Sequence, residues 1–416
     1  MGRLVRVFVS IGIQERRRHC CEKEGKIKII VRDVNAVGLS DAFAFCMRGG
    51  GDKSNSDAGS QDSQASDAVG GGGETFTLSF SSVNPAEDNK YKVVAQAWFN
   101  YLEQESGGRI KVNAYFNSQA ASPAEQLIAA KNGVVDIGEF YSTYFAENYP
   151  LNELFTLPFQ FPFPDGMAWS RTYNAMLEKY PEFRAEFEDK GVVLLFMHGD
   201  GVEQLWSKQP VRTMDDLLGM IVNCGSTTDV RLYQLLGANT EMLNSMETFD
   251  ALSKGVVDAT SFCFAGGVVT GVYEACNYVT ETNGAHSAWA FVMNKDTYDS
   301  LGDLQYLFQP DRLAEFAELF GYQFAMDELL VQERVKADPN YEYITLSDED
   351  MAKFREAAQP FVGDWIQKVT DLGYDGQAMY DDFASFVRQY SDFETAIKGK
   401  KDRLVALGAE VPEGWY

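Results

Sequence analysis

Gly133-Val134-Val135-Asp136 and Gly255-Val256-Val257-Asp258 are the same four residues met twice in one chain. The first follows Glu125-Gln126-Leu127-Ile128-Ala129-Ala130-Lys131-Asn132 and the second follows Phe249-Asp250-Ala251-Leu252-Ser253-Lys254, each an amphipathic helical stretch. Glycine just past a helix supplies the left-handed backbone that closes the last turn. The paired valines, continued by Ile137 or Ala259, then read as a short buried strand. One local unit is made twice, which predicts two related α/β lobes. In open α/β sheets ligands sit beyond the carboxyl ends of the strands. Gly138, Glu139 and Phe140 from one lobe, and Thr260, Ser261 and Phe262 from the other, are therefore expected to face a cleft between the lobes.

Outward from these two units the same alternation continues. Phe76, Leu78 and Phe80 alternate as a strand, and Tyr91, Val94, Trp98 and Tyr101 recur at helical spacing until Gly107-Gly108 stops them. Ile110, Val112, Ala114 and Phe116 alternate again, and Ser122-Pro123-Ala124-Glu125 reads as a capping box with proline at the first helical position. This βαβαβ order is the unit of a parallel sheet. The second lobe repeats it: Val192 to Phe196 as strand, a short helix opened by Thr213-Met214-Asp215-Asp216, Met220 to Val222 as strand, and a helix carrying Leu232 and Leu235 that ends at Gly237. Beyond Gln309 the pattern turns helical, with Leu313, Phe316, Leu319 and Phe320 on one face, a helix from Ser347 through Phe354, and another from Phe383 to Tyr390. The expected organisation is a tail over 1–74, lobe I over 75–195 completed by C-terminal segments, mainly lobe II over 196–308, and a helical region over 309–416 packing across both.

Composition narrows the function. A formal net charge of -25 argues against a nucleic-acid partner, because a polyanion needs basic compensation. The three histidines, His19, His198 and His286, show no metal-ligand spacing, so neither a metal site nor a serine triad is expected, and His198 and His286 read as structural. Cys20, Cys21 and Cys46 fall in the tail while Cys224, Cys263 and Cys276 are scattered, a pattern of free thiols rather than a disulfide framework. Aromatic residues at 13% supply material for an aromatic-lined pocket. The tail itself differs: residues 49 to 73 are mostly Gly, Ser, Asp and Gln, a linker that cannot bury enough surface to fold. Such a linker directly after Cys46 resembles the tether of a bacterial lipoprotein. Upstream, no apolar run reaches signal-peptide length, and Phe45 stands where a small residue is needed. A misread start over 1–45 accounts for that; a disordered tail is the other reading.

Four ordered strings carry a resemblance to a known family. They are Gly107-Gly108-Arg109-Ile110-Lys111-Val112 with the helix and Gly-x-x-Asp strand after it, Leu157-Pro158-Phe159-Gln160-Phe161, Pro210-Val211-Arg212-Thr213-Met214-Asp215-Asp216-Leu217-Leu218-Gly219, and Leu236-Gly237-Ala238 with residues 249 to 258. In this order they resemble the extracytoplasmic solute-binding proteins of TRAP transporters, the DctP family, over roughly 74 to 390. The resemblance implies a two-lobed periplasmic-binding-protein-like fold with a helical C-terminal wrap. It implies a receptor, not an enzyme, that closes on a small-molecule solute and hands it to small and large membrane subunits driven by an ion gradient, usually sodium. It also implies a periplasmic or cell-surface location, lipid-anchored if Cys46 is a tether, and no cofactor.

The departures from the family bear on the ligand. Its ligand-reading strand usually ends in an arginine that forks onto a carboxylate, a geometry lysine cannot reproduce; here Asn223 stands there. A second basic position falls at Glu203 or Gln204, and an acidic-amide pair falls at Ser261 and Phe262. A buried carboxylate without a cation loses several kcal/mol of desolvation. The expected ligand is therefore a neutral or amine-bearing solute met by Asn223, Glu203, Glu139, Ser261 and Asn84, with Tyr141, Phe140, Trp206 and Phe262 as walls. The alternatives are an organic acid met by another basic residue such as Arg231, an enzyme using Glu203 and Glu139 as paired carboxylates, or a sensor subunit of the same fold.

Overall fold

The computed structural model describes residues 73–141, 148–243 and 245–416. The Cys46 tether and the tail predicted over 1–72 lie outside the described residues. The described residues form two sheets. The first has the order β2-β1-β3-β10-β4, from β1 (Phe76–Ser81), β2 (Ile110–Tyr115), β3 (Ile137–Tyr141), β4 (Val192–Val202) and β10 (His286–Asn294). The second has the order β11-β9-β5-β8-β6-β7, from β5 (Gln204–Ser207), β6 (Ile221–Asn223), β7 (Asn239–Glu241), β8 (Ala259–Phe262), β9 (Tyr278–Glu281) and β11 (Glu342–Thr345). β1 runs parallel to both β2 and β3, and β6 runs parallel to both β7 and β8. The two lobes share this parallel core.

The repeated tetrapeptide does the same work in each. Gly133 and Gly255 have φ of 70° and 72°, a conformation that costs a residue with a Cβ but not glycine. Val134 and Val256 donate back to Ala129 and Ala251, each at 2.9 Å, closing the preceding helix. The aspartates then tie the new strand to its parallel neighbour: Asp136 accepts from the Ser79 N–H at 2.7 Å, and Asp258 from the Ile221 N–H at 2.9 Å. Local sequence thus sets both the helix stop and the strand register.

Among the described residues three chain segments join the lobes. Glu203 is the single residue between β4 of the first sheet and β5 of the second, and residues 282–285 lead from β9 back to β10. The Glu203 N–H donates to Ala285 at 2.9 Å, and the Gln204 side chain accepts from the Thr282 N–H at 3.0 Å, so the two crossings are laced together. The third is the long helix Pro310–Ala337, which packs on β4 in one lobe and on the Phe264–Val269 helix in the other. Phe159 of the Leu-Pro-Phe-Gln-Phe string braces the second crossing: its N–H donates to Gly284 at 2.7 Å and its ring meets Phe354 edge-on.

Some boundaries differ from the sequence reading. β4 runs on to Val202, so the change of lobe falls at 203 and not at 196, and β10 returns residues 286–294 to the first sheet. β11, between two helices of the C-terminal region, adds an unforeseen edge strand to the second sheet. The capping box predicted at Ser122 does not form; the Ser122 hydroxyl bonds the Glu125 carboxylate at 2.6 Å and leaves the backbone N–H groups alone. A capping box forms instead at Thr213, closed by Asp216.

Candidate functional site

The carboxyl ends of strands from both lobes converge on Glu203. Tyr141, the last residue of β3, brings its hydroxyl to 3.4 Å from one Glu203 oxygen, and Ser261 of β8 donates to the other at 2.5 Å. Glu203 is only 5% exposed although it lies on a crossing strand. A second carboxyl interacts with it electrostatically. Asp229 opens the Thr227–Leu235 helix, where Ser226 caps the first turn and donates to Asp229 at 2.8 Å. Burial, then repulsion from Glu203, hold the Asp229 carboxyl well above the usual carboxylate range.

On the lobe I side the cluster continues. Asp200, near the end of β4, accepts from the Gly201 N–H at 2.8 Å and from the Trp289 indole at 2.9 Å. Burial pushes it up to about 6, and the nearby Lys90 opposes that rise. Lys90 is fully buried, ion-paired with the equally buried Glu139, with its ammonium 3.5 Å from the centre of a Trp289 ring. Glu139 also accepts hydroxyl hydrogen bonds from Tyr91 and, at 2.8 Å, from Ser82. The Trp289 ring in turn leans on Tyr141, ring centres 5.0 Å apart. Behind the cluster, Glu328 of the long helix accepts from the N–H groups of Phe264 and Ala265 at 3.1 and 2.7 Å; burial outweighs those bonds and raises it to about 8.

The predicted residues divide. Glu203, Tyr141 and Ser261 come together at the seam. Glu139 lies close by but is committed to Lys90, Tyr91 and Ser82 within lobe I, which removes it from a carboxylate pair with Glu203. Asn223 is 2% exposed, and both its amide hydrogens are spent: they donate to Thr248 at 3.0 Å and Thr260 at 3.1 Å while its oxygen accepts from Leu243. It knits β6 to β8 and has no N–H left for a solute. Phe140 points into the core beside Tyr149 and Phe187, because adjacent residues on a strand face opposite sides and Tyr141 takes the seam. Trp206 packs in the lobe II core against Phe264, its indole donating to the Phe262 carbonyl at 3.0 Å. Phe262 is partly buried against that same core, and Asn84 sits in the turn after β1, its carbonyl accepting from Asn117. Arg231 faces outward, ion-paired to Asp364 of the Asp348–Asp371 helix at 2.5 Å and stacked on Phe361, so it brings no charge to the seam. His198 is buried, its ring stacked on Phe320, and burial holds it well below its usual range; His286 is lowered to about 4 for the same reason.

Lys90, Asp200, Asp229 and Trp289 are the residues that sequence reasoning missed. Asp229 carried a signal, the Ser226-x-x-Asp229 cap. Lys90 lies in a π-helical turn, Lys90–Ala95, which buries Lys90, Tyr91, Val93, Val94 and Ala95, a run that the 3.6 period does not place on one face. Among the described residues no group of three His, Cys, Asp or Glu could hold a metal ion, and no helix is long and apolar enough to cross a membrane.

Comparison with known proteins agrees with this architecture. The chain matches the family described as bacterial extracellular solute-binding protein, family 7, DctP, over residues 80–368. It is 24% identical to the ectoine/5-hydroxyectoine-binding periplasmic protein UehA of Ruegeria pomeroyi over 68% of this chain and 83% of that one. A TRAP periplasmic solute-binding protein from Desulfovibrio salexigens, 27% identical, superposes with a TM-score of 0.65 over 76% of this chain and 97% of the other. One from Rhodoferax ferrireducens, in complex with copurified benzoate, is 24% identical with a TM-score of 0.69 over 77% and 100% and shares the fold. Relatives of this kind are receptors that bind solutes, which sets aside the enzyme reading. With two lobes joined by three crossings and strand ends meeting at Glu203, this chain belongs to the DctP family of TRAP-type extracytoplasmic solute receptors.

Proposed function

We propose that this receptor closes its lobes on a small solute bearing an amine or another positive charge, outside the cytoplasmic membrane, and delivers it to the membrane subunits of a TRAP transporter. The observation that carries the ligand class is the charge at the seam. Glu203 and Asp229 are buried and Asp200 is half-buried, while Lys90, the cation acting on Asp200, is neutralised by Glu139. An anion entering there meets like charge in a poorly screened site, whereas a cation relieves repulsion already present. The ring of Tyr141 adds cation–π attraction.

A second reading is an organic acid, favoured by the benzoate named for the Rhodoferax ferrireducens neighbour and by Lys90 as a basic residue other than Arg231. A thermal-shift screen of amines, polyols and carboxylates, followed by calorimetry on hits and recovery of the solute unchanged, separates the two. Stabilisation by ethanolamine, putrescine or choline with none by benzoate or succinate is expected. The reverse pattern refutes the proposal and favours Lys90 as an acid-binding residue.

A further inference from the structure

We infer that Asp200 accepts a hydrogen bond from the solute's ammonium group and that Trp289, by donating its indole N–H to the same carboxyl, is the residue that positions it. This rests on the amine-bearing reading and narrows it to solutes whose charged nitrogen carries a hydrogen.

Exposure and contact carry it. Glu139, Glu203, Asp229 and Glu328 are buried, whereas Asp200 keeps part of its surface open to an incoming solute. Its carboxyl touches both lobes: the Trp289 indole of lobe I donates to Oδ2 at 2.9 Å, and the Cys263 sulfur of lobe II lies 3.9 Å from Oδ1. The Gly201 N–H donates to Oδ1 at 2.8 Å. The adjoining backbone is clamped as well, since a Cβ on Gly201 would come within 2.7 Å of the Cys263 Cβ. With one N–H on each oxygen, the carboxyl is oriented before a solute arrives, and those two donors use half of its about four acceptor sites. An ammonium added there makes a charge-assisted bond, roughly twice as strong as a neutral one. Trp289 serves through its N–H and not its π face, which already carries the Lys90 ammonium 3.5 Å from the ring centre. The charged and titratable groups facing Asp200 are Lys90 on the π-helical turn, Glu203 on the crossing, Glu328 on the long helix and Cys263 at the head of the Phe264–Val269 helix. Burial pushes Asp200 up to about 6, and Lys90, the Gly201 N–H and the Trp289 N–H oppose that rise.

Amine affinity should therefore be level towards about pH 8 and fall by up to about tenfold per pH unit below about 6, as the carboxyl takes up a proton and loses its charge. The full-length receptor, freed of bound solute by mild unfolding and refolding, is titrated calorimetrically with ethanolamine, putrescine and choline over about pH 5 to 8. Thermal unfolding shows that each variant is folded. Asp200→Asn should lower affinity for ethanolamine and putrescine by about 10- to 100-fold at the upper pH, the value of a hydrogen bond to a charged group, and should abolish the acid-side fall. Trp289→Phe keeps a ring for Lys90 and Tyr141 but donates nothing to Asp200. It should weaken binding by about threefold at the upper pH and move the midpoint of the pH profile upward, a shift that a packing role alone does not produce. Amine binding undiminished in Asp200→Asn, or a Trp289→Phe profile whose midpoint stays in place, overturns this inference and leaves the parent reading standing. So does a wild type that binds choline but neither ethanolamine nor putrescine. A folded wild type that binds none of the three overturns both.

Discussion

Replacing Lys90 by Met tests whether the lobe I side of the seam is held by a buried charge pair. Lys90 and Glu139 are both without exposed surface and in direct contact, and Met keeps most of the apolar stem while deleting the ammonium. What remains is Glu139 in the interior, still accepting from Ser82 and Tyr91 but facing no cation. Breaking one side of a buried pair costs about 3–5 kcal/mol because the other charge is stranded. The two hydroxyl donors keep the loss near the lower end, so about 3 kcal/mol is expected even with the Trp289 contact gone. Against a usual total of about 5–15 kcal/mol the variant still folds. Urea unfolding at neutral pH, followed by circular dichroism, measures it for the wild type, K90M, E139Q and K90M/E139Q. In the double variant the stranded charge is gone, so it should recover roughly 2 kcal/mol relative to K90M, a coupling that a double-mutant cycle reads directly. If K90M lies within about 0.5 kcal/mol of wild type, or if E139Q adds a full second loss to it, the pair is not coupled in the way the contacts require.

Two other perturbations follow from the same geometry. Asn223→Arg should destabilise by about 1–3 kcal/mol, since it strands the Leu243 N–H inside lobe II, and should confer no benzoate binding; thermal unfolding with and without benzoate checks both, and a benzoate-dependent rise would show that the side chain reaches the seam after all. Glu328, raised by burial to about 8, holds its proton more tightly folded than unfolded, so its contribution is complete below the unfolded value near 4.3 and is lost as pH rises through about 8. Glu328→Gln keeps an acceptor for only one of the Phe264 and Ala265 N–H groups, which lowers stability at every pH, and should flatten the fall in stability between about pH 5 and 8; an unchanged slope in pH-dependent unfolding would refute that assignment.

How much of this was legible in the sequence depends on the range of the interaction that decides each feature. The glycine stops at 133 and 255 are settled within five residues, by a left-handed glycine and a hydrogen bond back to the preceding helix, and the helix over Pro310–Ala337 is settled by its own apolar stripe. Family position placed Asn223 at a strand end correctly, yet which way its amide turns depends on Thr248 and Thr260, residues far along the chain. Phe140 against Tyr141 is a matter of strand parity: one of the two had to face the seam, and only the sheet's pairing with β10 decides which.

The hinge shows why the remainder was hidden. The apolar run Val192 to Phe196 reads as the strand, and residues 199 to 201, Gly-Asp-Gly, follow it. In the fold the glycines mark contact rather than interruption: a Cβ on Gly199 would come within 2.8 Å of Trp169, and one on Gly201 within 2.5 Å of the Glu328 carboxyl. β4 continues because β10 pairs with it to Val202, a partner more than eighty residues later in the chain. That continuation carries Asp200 into the seam and puts Glu203 on the crossing itself, so the acidic character of the site and the path of the hinge are one consequence of two close approaches that leave no room for a side chain.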